Sequence, residues 1–229
     1  MEILAIIPAR GGSKGIKRKN LKPIFNKPLV AYSILSALNS KYITKVVVSS
    51  EDSEILEVSK KYGAETIKRP EELAKDETKT LPVMLHCIEE LEKQSYVPDY
   101  VVLLQPTCPL RDESYIDSAF EYYFEKEKQG FDSCFGAFKL GLTHAKWKVL
   151  HNEKLEGLYD YRTRPRRQDL DEHYDLIQEN GAFYALETKT LKKANDFIGF
   201  NPTCYITPQI IDIDTVEDFE KVENILKNA

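Results

Sequence analysis

Two aspartates separated by one isoleucine, Asp212-Ile213-Asp214, carry the first chemistry in this chain. Alternate side chains of an extended segment share a face. Ile210 to Asp214, read as a strand, therefore turns both carboxylates one way and sends Ile211 and Ile213 into the core. Convergent carboxylates suit Mg²⁺, which keeps several waters and takes one or two protein ligands beside substrate phosphates. The alternative reading is a helix start. Thr215 and Asp218 have the spacing of a capping box, and Val216, Phe219, Val222 and Leu226 form an apolar stripe. The two readings are compatible.

A glycine-rich basic loop follows the first apolar run: Pro8-Ala9-Arg10-Gly11-Gly12-Ser13-Lys14-Gly15, continuing to Lys19-Asn20. Glycines let backbone N–H groups approach phosphate oxygens, while Arg10 and Lys14 add charge. The spacing is neither a Walker A loop nor G-x-G-x-x-G. Residues 10–22 hold six Lys/Arg and no acid, and residues 162–167 hold four Arg and no acid. The other 210 residues carry 22 basic against 37 acidic side chains, a net of −15 within a whole-chain charge of −5. An acidic body with two concentrated basic segments fits small anions bound at fixed sites. A nucleic-acid binder spreads its cations over a face and interleaves aromatics, and residues 10–22 contain none. Arginine forks such as those of Arg164-Pro165-Arg166-Arg167-Gln168-Asp169 bind carboxylates and phosphates bidentately, although such a run also occurs as a solvated face.

Two further stretches bear on a ligand. Gln105-Pro106-Thr107-Cys108-Pro109-Leu110-Arg111 ends the strongest apolar run, and its prolines make a stiff loop. That loop either places Gln105 or Arg111 against a substrate or merely starts a helix at Pro109 and Asp112. Arg69 to Ala74 and Asp76 to Thr80 form an irregular crossover. There Arg69 and Thr80 could face the same crevice, or the stretch is an ordinary surface loop.

The elements that must position these residues follow from the apolar pattern. Nearly continuous runs at Ile3–Ile7, Val46–Ser49 and Tyr100–Leu104 alternate with amphipathic segments at Leu29–Leu38, Ile55–Tyr62 and Tyr115–Phe124. This predicts an α/β fold with a mostly parallel sheet covered by helices on both faces. Asp52 and Asp112 sit at expected helix N-caps, and Gly63 and Gly130 at C-caps. Ligands of such sheets bind at the carboxyl ends of the strands, where the motifs lie. The chain reads as a single domain over 1–229. Residues 139–178 form an insertion with a hairpin around Asn152 and Glu153 and pack against something other than the sheet, a second subunit being the candidate. Four cysteines at least 21 residues apart and four unpaired histidines indicate neither a zinc site nor a disulfide framework. No apolar stretch approaches the ~20 residues of a membrane span, and a reducing, cytoplasmic setting is the expectation.

Taken in order, these segments resemble the N-acylneuraminate cytidylyltransferases, the CMP-sugar synthetases. The resemblance runs through IIPARGGSKGIKRKN (6–20), VVVSSEDSEI (46–55), KRPEELAKD (68–76), LLQPTCPLR (103–111), RPRRQD (164–169), ENGAFY (179–184) and IDIDTVED (211–218). It implies a Rossmann-like, three-layer α/β/α nucleotidyltransferase with a mixed, mostly parallel sheet, working as a homodimer through the insertion. Its reaction would join a 2-keto sugar acid to CTP, giving the CMP-sugar and pyrophosphate with Mg²⁺. By matching position, Arg10, Gly11, Lys14, Lys19 and Asn20 hold the triphosphate, and Arg69, Thr80 and the Pro8-Ala9 backbone hold the cytidine. Gln105, Lys146, Gln168 and Asn180 face the sugar acid, Arg166 its carboxylate or the phosphates from across the dimer, and Asp212 and Asp214 the metal. Arg10, Lys14 and Asp214 are the catalytic candidates. Gln178 stands where many bacterial members have arginine, a contact that Arg166 or Arg167 would then supply.

Overall fold

Branched apolar side chains occupy almost every position of the first strand, and the computed structural model buries that strand between parallel neighbours on both sides. The structure describes residues 1–13, 15–140, 147–149, 154–157 and 176–228. In chain order these form β1 (Ile3–Pro8), β2 (Pro23–Ile24), β3 (Lys27–Pro28), α1 (Leu29–Asn39), β4 (Lys45–Ser50), α2 (Ser53–Lys61), β5 (Glu65–Lys68) and α3 (Thr80–Glu92). There follow β6 (Tyr100–Leu103), α4 (Glu113–Glu127), β7 (Ser133–Lys139), β8 (Trp147–Val149), β9 (Leu155–Gly157), β10 (Ile177–Glu187), α5 (Thr188–Ala194), β11 (Pro202–Ile206) and α6 (Val216–Asn228).

Seven strands make one sheet in the order β11-β7-β10-β6-β1-β4-β5. All pairings are parallel except those of β10, which runs antiparallel to both β6 and β7. The pleat of β1 divides the core. Ile3, Ala5 and Ile7 pack with α1 and α4 through Val30, Ile34 and Phe120, while Leu4 and Ile6 pack on the opposite face with α3 through Met84, Cys87 and Ile88. Three layers result, as the alternation of apolar runs predicts. Asp52 caps α2 by accepting from the N–H groups of Glu54 and Ile55, and Asp112 caps α4 through that of Tyr115. Gly63 and Gly130 both follow helices with φ near +95°. The expected hairpin is present as β8 paired antiparallel with β9, a ladder separate from the main sheet.

One expectation needs correction, and one choice left open by the sequence is decided. Ile210–Asp214 is not a strand: it is extended but joins no ladder, and the Ile213 N–H donates instead to the Thr107 carbonyl at 2.9 Å. Its alternation nevertheless survives, with Ile213 fully buried and Asp214 exposed, because a small core of Ile16, Ile24, Leu29, Phe219 and Val222 receives the isoleucine. Arg111 does not face a crevice. It is buried, and its guanidinium donates to Ser33 Oγ at 2.6 Å, the Ala182 carbonyl at 2.9 Å and the Gln105 carbonyl at 3.3 Å, so it ties α1, β10 and the loop after β6 together. The Thr215–Asp218 capping box forms, with Thr215 Oγ1 accepting from the Asp218 N–H and the Asp218 carboxylate accepting from the Thr215 N–H. Phe219 and Val222 are buried and Leu226 half-buried, but Val216 is exposed and falls outside the stripe.

Ile213→Ala removes the apolar anchor between the two aspartates. It is expected to lower the unfolding free energy by about 2–4 kcal/mol, read as a shift of the denaturant midpoint; an unchanged midpoint would show that the segment is not anchored there.

Candidate active site

The carboxyl ends of β1, β5 and β6 open into a cavity of about 470 Å³ lined by Pro8, Arg10, Lys19, Arg69, Thr80 and Gln105, with Asp212 and Asp214 on its far side. The sheet dictates this placement, because parallel strands end together and their following loops gather at one edge. Asn20 is buried and donates from Nδ2 to the Arg10 carbonyl at 2.9 Å, closing the basic loop on itself. Glycine is needed at Gly11 for contact: a Cβ there would meet Asp52 Oδ2 at 2.6 Å. Arg18, in the left-handed region with φ 55°, reaches Asp52 and Glu54 at 2.5 Å each and fastens the loop to the start of α2. Burial works against ionisation of Asp52, but the Arg18 guanidinium and the N–H groups at the helix start outweigh it and hold the carboxyl below its usual range.

Each described cation of the loop that lines the cavity already faces a carboxylate. Arg10 Nη1 lies 2.8 Å from Asp76, and Lys19 Nζ lies 3.7 Å from Asp214 while donating to the Ile213 carbonyl at 2.7 Å. Arg69 is buried, and burial first of all pulls its guanidinium below the usual arginine range, against the opposing charge of Glu51. Its Nη2 has no hydrogen-bond partner, so one buried donor awaits an acceptor. The crossover weighed as a surface loop in fact walls the cavity, bringing Leu73, Lys75, Asp76, Thr78 and Lys79 to it. Thr80 opens α3, whose first turn has no side-chain cap and presents its N–H groups and the positive end of the helix dipole. Sequence reasoning missed Lys75, Lys79, Ser13 and Thr107; the alternation of Lys75 and Lys79 with Asp76 and Thr78 was the available signal.

A second cavity of about 480 Å³ is lined by Phe138, Gln178, Glu179, Asn180, Gln209 and Lys221 and shares Asp212 and Asp214 with the first. Its floor is the irregularity in β10, where the register with β7 shifts between Glu179 and Tyr184 and Gly181 takes φ +71°. A Cβ on Gly181 would lie 2.9 Å from Gln105 Oε1 and 3.4 Å from Asp212 Oδ2, so the missing side chain lets β10 approach both walls. Asn180 is buried with its amide engaged: Nδ2 donates to the Tyr115 hydroxyl at 3.1 Å and Oδ1 accepts from the Ala182 N–H at 3.0 Å. Gln105 lies on the wall of the first cavity and Asn180 on that of the second. Lys14, Lys146, Arg166 and Gln168 lie outside the described residues.

Asp212 is half-buried. Burial first, then the charge of Asp214, pushes its carboxyl above the ordinary aspartate range despite a hydrogen bond from Thr107. Among the described residues no three His, Cys, Asp or Glu side chains cluster as a full metal cage. Two carboxylates one residue apart, one of them raised by burial, instead fit an ion that keeps its waters and phosphate ligands, as Mg²⁺ does. Burial pushes Cys108 and Cys134 up to about 12 and Cys87 up to about 11, which disfavours the thiolate a cysteine nucleophile needs at these three positions.

The family model described as Cytidylyltransferase matches residues 4–227. The chain belongs to the cytidylyltransferase family. This cytidylyltransferase is 35% identical over 232 residues to the pseudaminic acid cytidylyltransferase of Campylobacter jejuni serotype O:2, covering 99% of this chain and 97% of that one. It is 31% identical to the N-acylneuraminate cytidylyltransferase of Escherichia coli O18:K1:H7, covering 96% of this chain and 51% of that protein. Among solved structures it is similar to CMP:2-keto-3-deoxy-manno-octonic acid synthetase complexed with CTP. The TM-score is 0.71 at 17% identity, over 100% of this chain and 99% of that one, a likeness of fold. The three-layer nucleotidyltransferase architecture is thus the fold of the cytidylyltransferase described here. No helix among the described residues is long and apolar enough to cross a membrane.

Gly181→Ala places a side chain in a left-handed backbone against Gln105 and Asp212. The expected result is a loss of about 1–2 kcal/mol of stability, the cost of that conformation for an L-residue, with a lower melting temperature as the readout.

Proposed function

We propose that this cytidylyltransferase couples CTP to a nine-carbon 2-keto sugar acid, releasing pyrophosphate, with the triphosphate in the first cavity and the acid in the second. The observation that carries this reading is the shared wall: Asp212 and Asp214 border both cavities, so a reaction between two bound molecules has its charge-stabilising groups at the junction. Arg10, Lys19, Arg69, Lys75 and Lys79 crowd the first cavity, which suits a polyanion, while the amides of Gln178, Asn180 and Gln209 and the ammonium of Lys221 in the second offer partners to the hydroxyls and carboxylate of an acid. Pseudaminic acid is the first acid to test, because 35% identity to the Campylobacter enzyme extends over almost the whole chain. N-acylneuraminate is the second, favoured by the RPRRQD and ENGAFY segments and by the 31% identity to the Escherichia coli protein.

In the proposed reaction the C2 hydroxyl oxygen bonds to the α-phosphorus as the bond to the pyrophosphate oxygen breaks, in line. Arg10 leaves Asp76 to meet the phosphates, and Lys19, held at the Ile213 carbonyl, stays aimed at them. Arg69 offers its unfilled Nη2 to the nucleotide. Asp214, exposed at the junction, is the candidate acceptor of the hydroxyl proton. Asp212 and Asp214 are the residues that would hold Mg²⁺, which when bound would neutralise developing charge on the phosphate oxygens. The remaining contribution of the chain is alignment of two reactants across one wall.

Pyrophosphate release measured with CTP and Mg²⁺ across pseudaminic, legionaminic, N-acylneuraminic and eight-carbon acids tests the reading. Turnover with one of the nine-carbon acids is expected; activity only with a different nucleoside triphosphate and a neutral sugar phosphate would overturn it. Asp212→Asn and Asp214→Asn are each expected to lower kcat by about 10²-fold or more, and near wild-type kcat in both variants would remove the shared wall from the chemistry.

A further inference from the structure

Glu51 follows β4 directly and is not among the residues lining the first cavity, yet it grips two of the segments that form it. Its Oε1 accepts from the Gly11 N–H at 2.6 Å, and its Oε2 accepts from Arg69 Nε at 3.2 Å. One carboxylate therefore joins the basic loop after β1 to the arginine after β5, across the end of the strand that lies between them in the sheet. The guanidinium is planar, so its donors cannot be aimed separately. With Nε on Glu51 and Nη1 on the Leu73 carbonyl at 3.4 Å, the direction of Nη2 is set, and that nitrogen is the one left without a partner. The arrangement is built around a buried Arg69 side chain, 4% exposed, and a Glu51 side chain that is 18% exposed.

We infer that Glu51 is a positioning residue for the nucleotide: it orients Arg69 so that Nη2 meets an oxygen acceptor of the ligand, and it keeps the Gly11 turn in register with that donor. This rests on the nucleotide reading of the first cavity. The acceptor is a base carbonyl or a phosphate oxygen, which present the same hydrogen-bond chemistry to Nη2. Glu51 acts only through Arg69 and Gly11 and does not itself reach the reacting atoms.

Glu51→Gln separates the two grips. The glutamine carbonyl still accepts from Gly11, but its NH₂ faces Arg69 Nε, donor against donor. CTP binding followed by calorimetry, together with steady-state kinetics, is the test. CTP affinity is expected to fall about tenfold or more, the scale of one lost charge-assisted hydrogen bond, with the KM for the sugar acid unmoved. The Glu51→Gln/Arg69→Lys double variant is expected to bind CTP no more weakly than the worse single variant, because the two side chains act as one unit. Inhibition by cytidine weakening in Glu51→Gln identifies the base as the acceptor; inhibition by inorganic tripolyphosphate weakening identifies the phosphates. CTP affinity within twofold of wild type, or single losses that simply add, would overturn the inference. A wild-type protein that binds no CTP would instead overturn the nucleotide reading on which it rests. If Glu51→Gln does not fold, Glu51→Asp keeps the charge and shortens the reach, and unaltered CTP affinity in that variant would equally overturn the assignment.

Discussion

Ile213 is the point at which three parts of the chain are made to meet. Its side chain is buried against Ile16 of the basic loop and Phe219 of α6, its N–H is bound by Thr107 after β6, and its carbonyl is bound by Lys19. Burying one isoleucine side chain stabilises by roughly 1.5–3 kcal/mol. Here that burial acts on residues either side: with Ile213 pinned inward, Asp212 and Asp214 cannot turn away from the cavities. Two carboxylates that repel one another are held together by an apolar contact placed between them. The same contact draws Lys19 close, which offsets part of the repulsion.

The sheet supplies the second constraint. Parallel strands β1, β4, β5 and β6 bring their following loops to one edge, and antiparallel β10 crosses that edge with its irregularity at Gly181. Buried Arg111 links the loop after β6 to α1 and to β10. The stiffness of the QPTCPLR segment thus comes from a buried guanidinium as well as from its prolines. Among the described residues no carboxylate pairs with this buried guanidinium, a charge costly to desolvate, and burial pulls it down to about 10. Carbonyls and a hydroxyl offset that cost only where they stand in this loop's particular fold.

Much of this was legible beforehand. The unbroken apolar run of Ile3–Ile7 marked a doubly covered strand, and Asp52 and Asp112 marked helix starts by a local hydrogen bond that needs no tertiary context. Ile210–Asp214 was misread as a strand because alternation reports which side is buried, and an extended segment on a small core alternates as a strand does. Arg111 stayed open between a substrate contact and a helix start because sequence shows its charge and not its burial. Lys75 and Lys79 were passed over for a related reason: which face of an irregular crossover meets a cavity is decided by neighbours distant in the chain. Glu51 lies in the VVVSSEDSEI segment of the resemblance, but beside a helix cap in a stretch that local chemistry already explained, nothing in the sequence set it apart.

Arg10 lies against Asp76 and Lys19 near Asp214, so two of the cations in this cleft already have carboxylates for company. An anion that draws Arg10 or Lys19 to itself therefore competes with a carboxylate for that cation. Anion binding in such a cleft is an exchange of charge partners, and its strength depends on the environment of the carboxylates as much as on the anion.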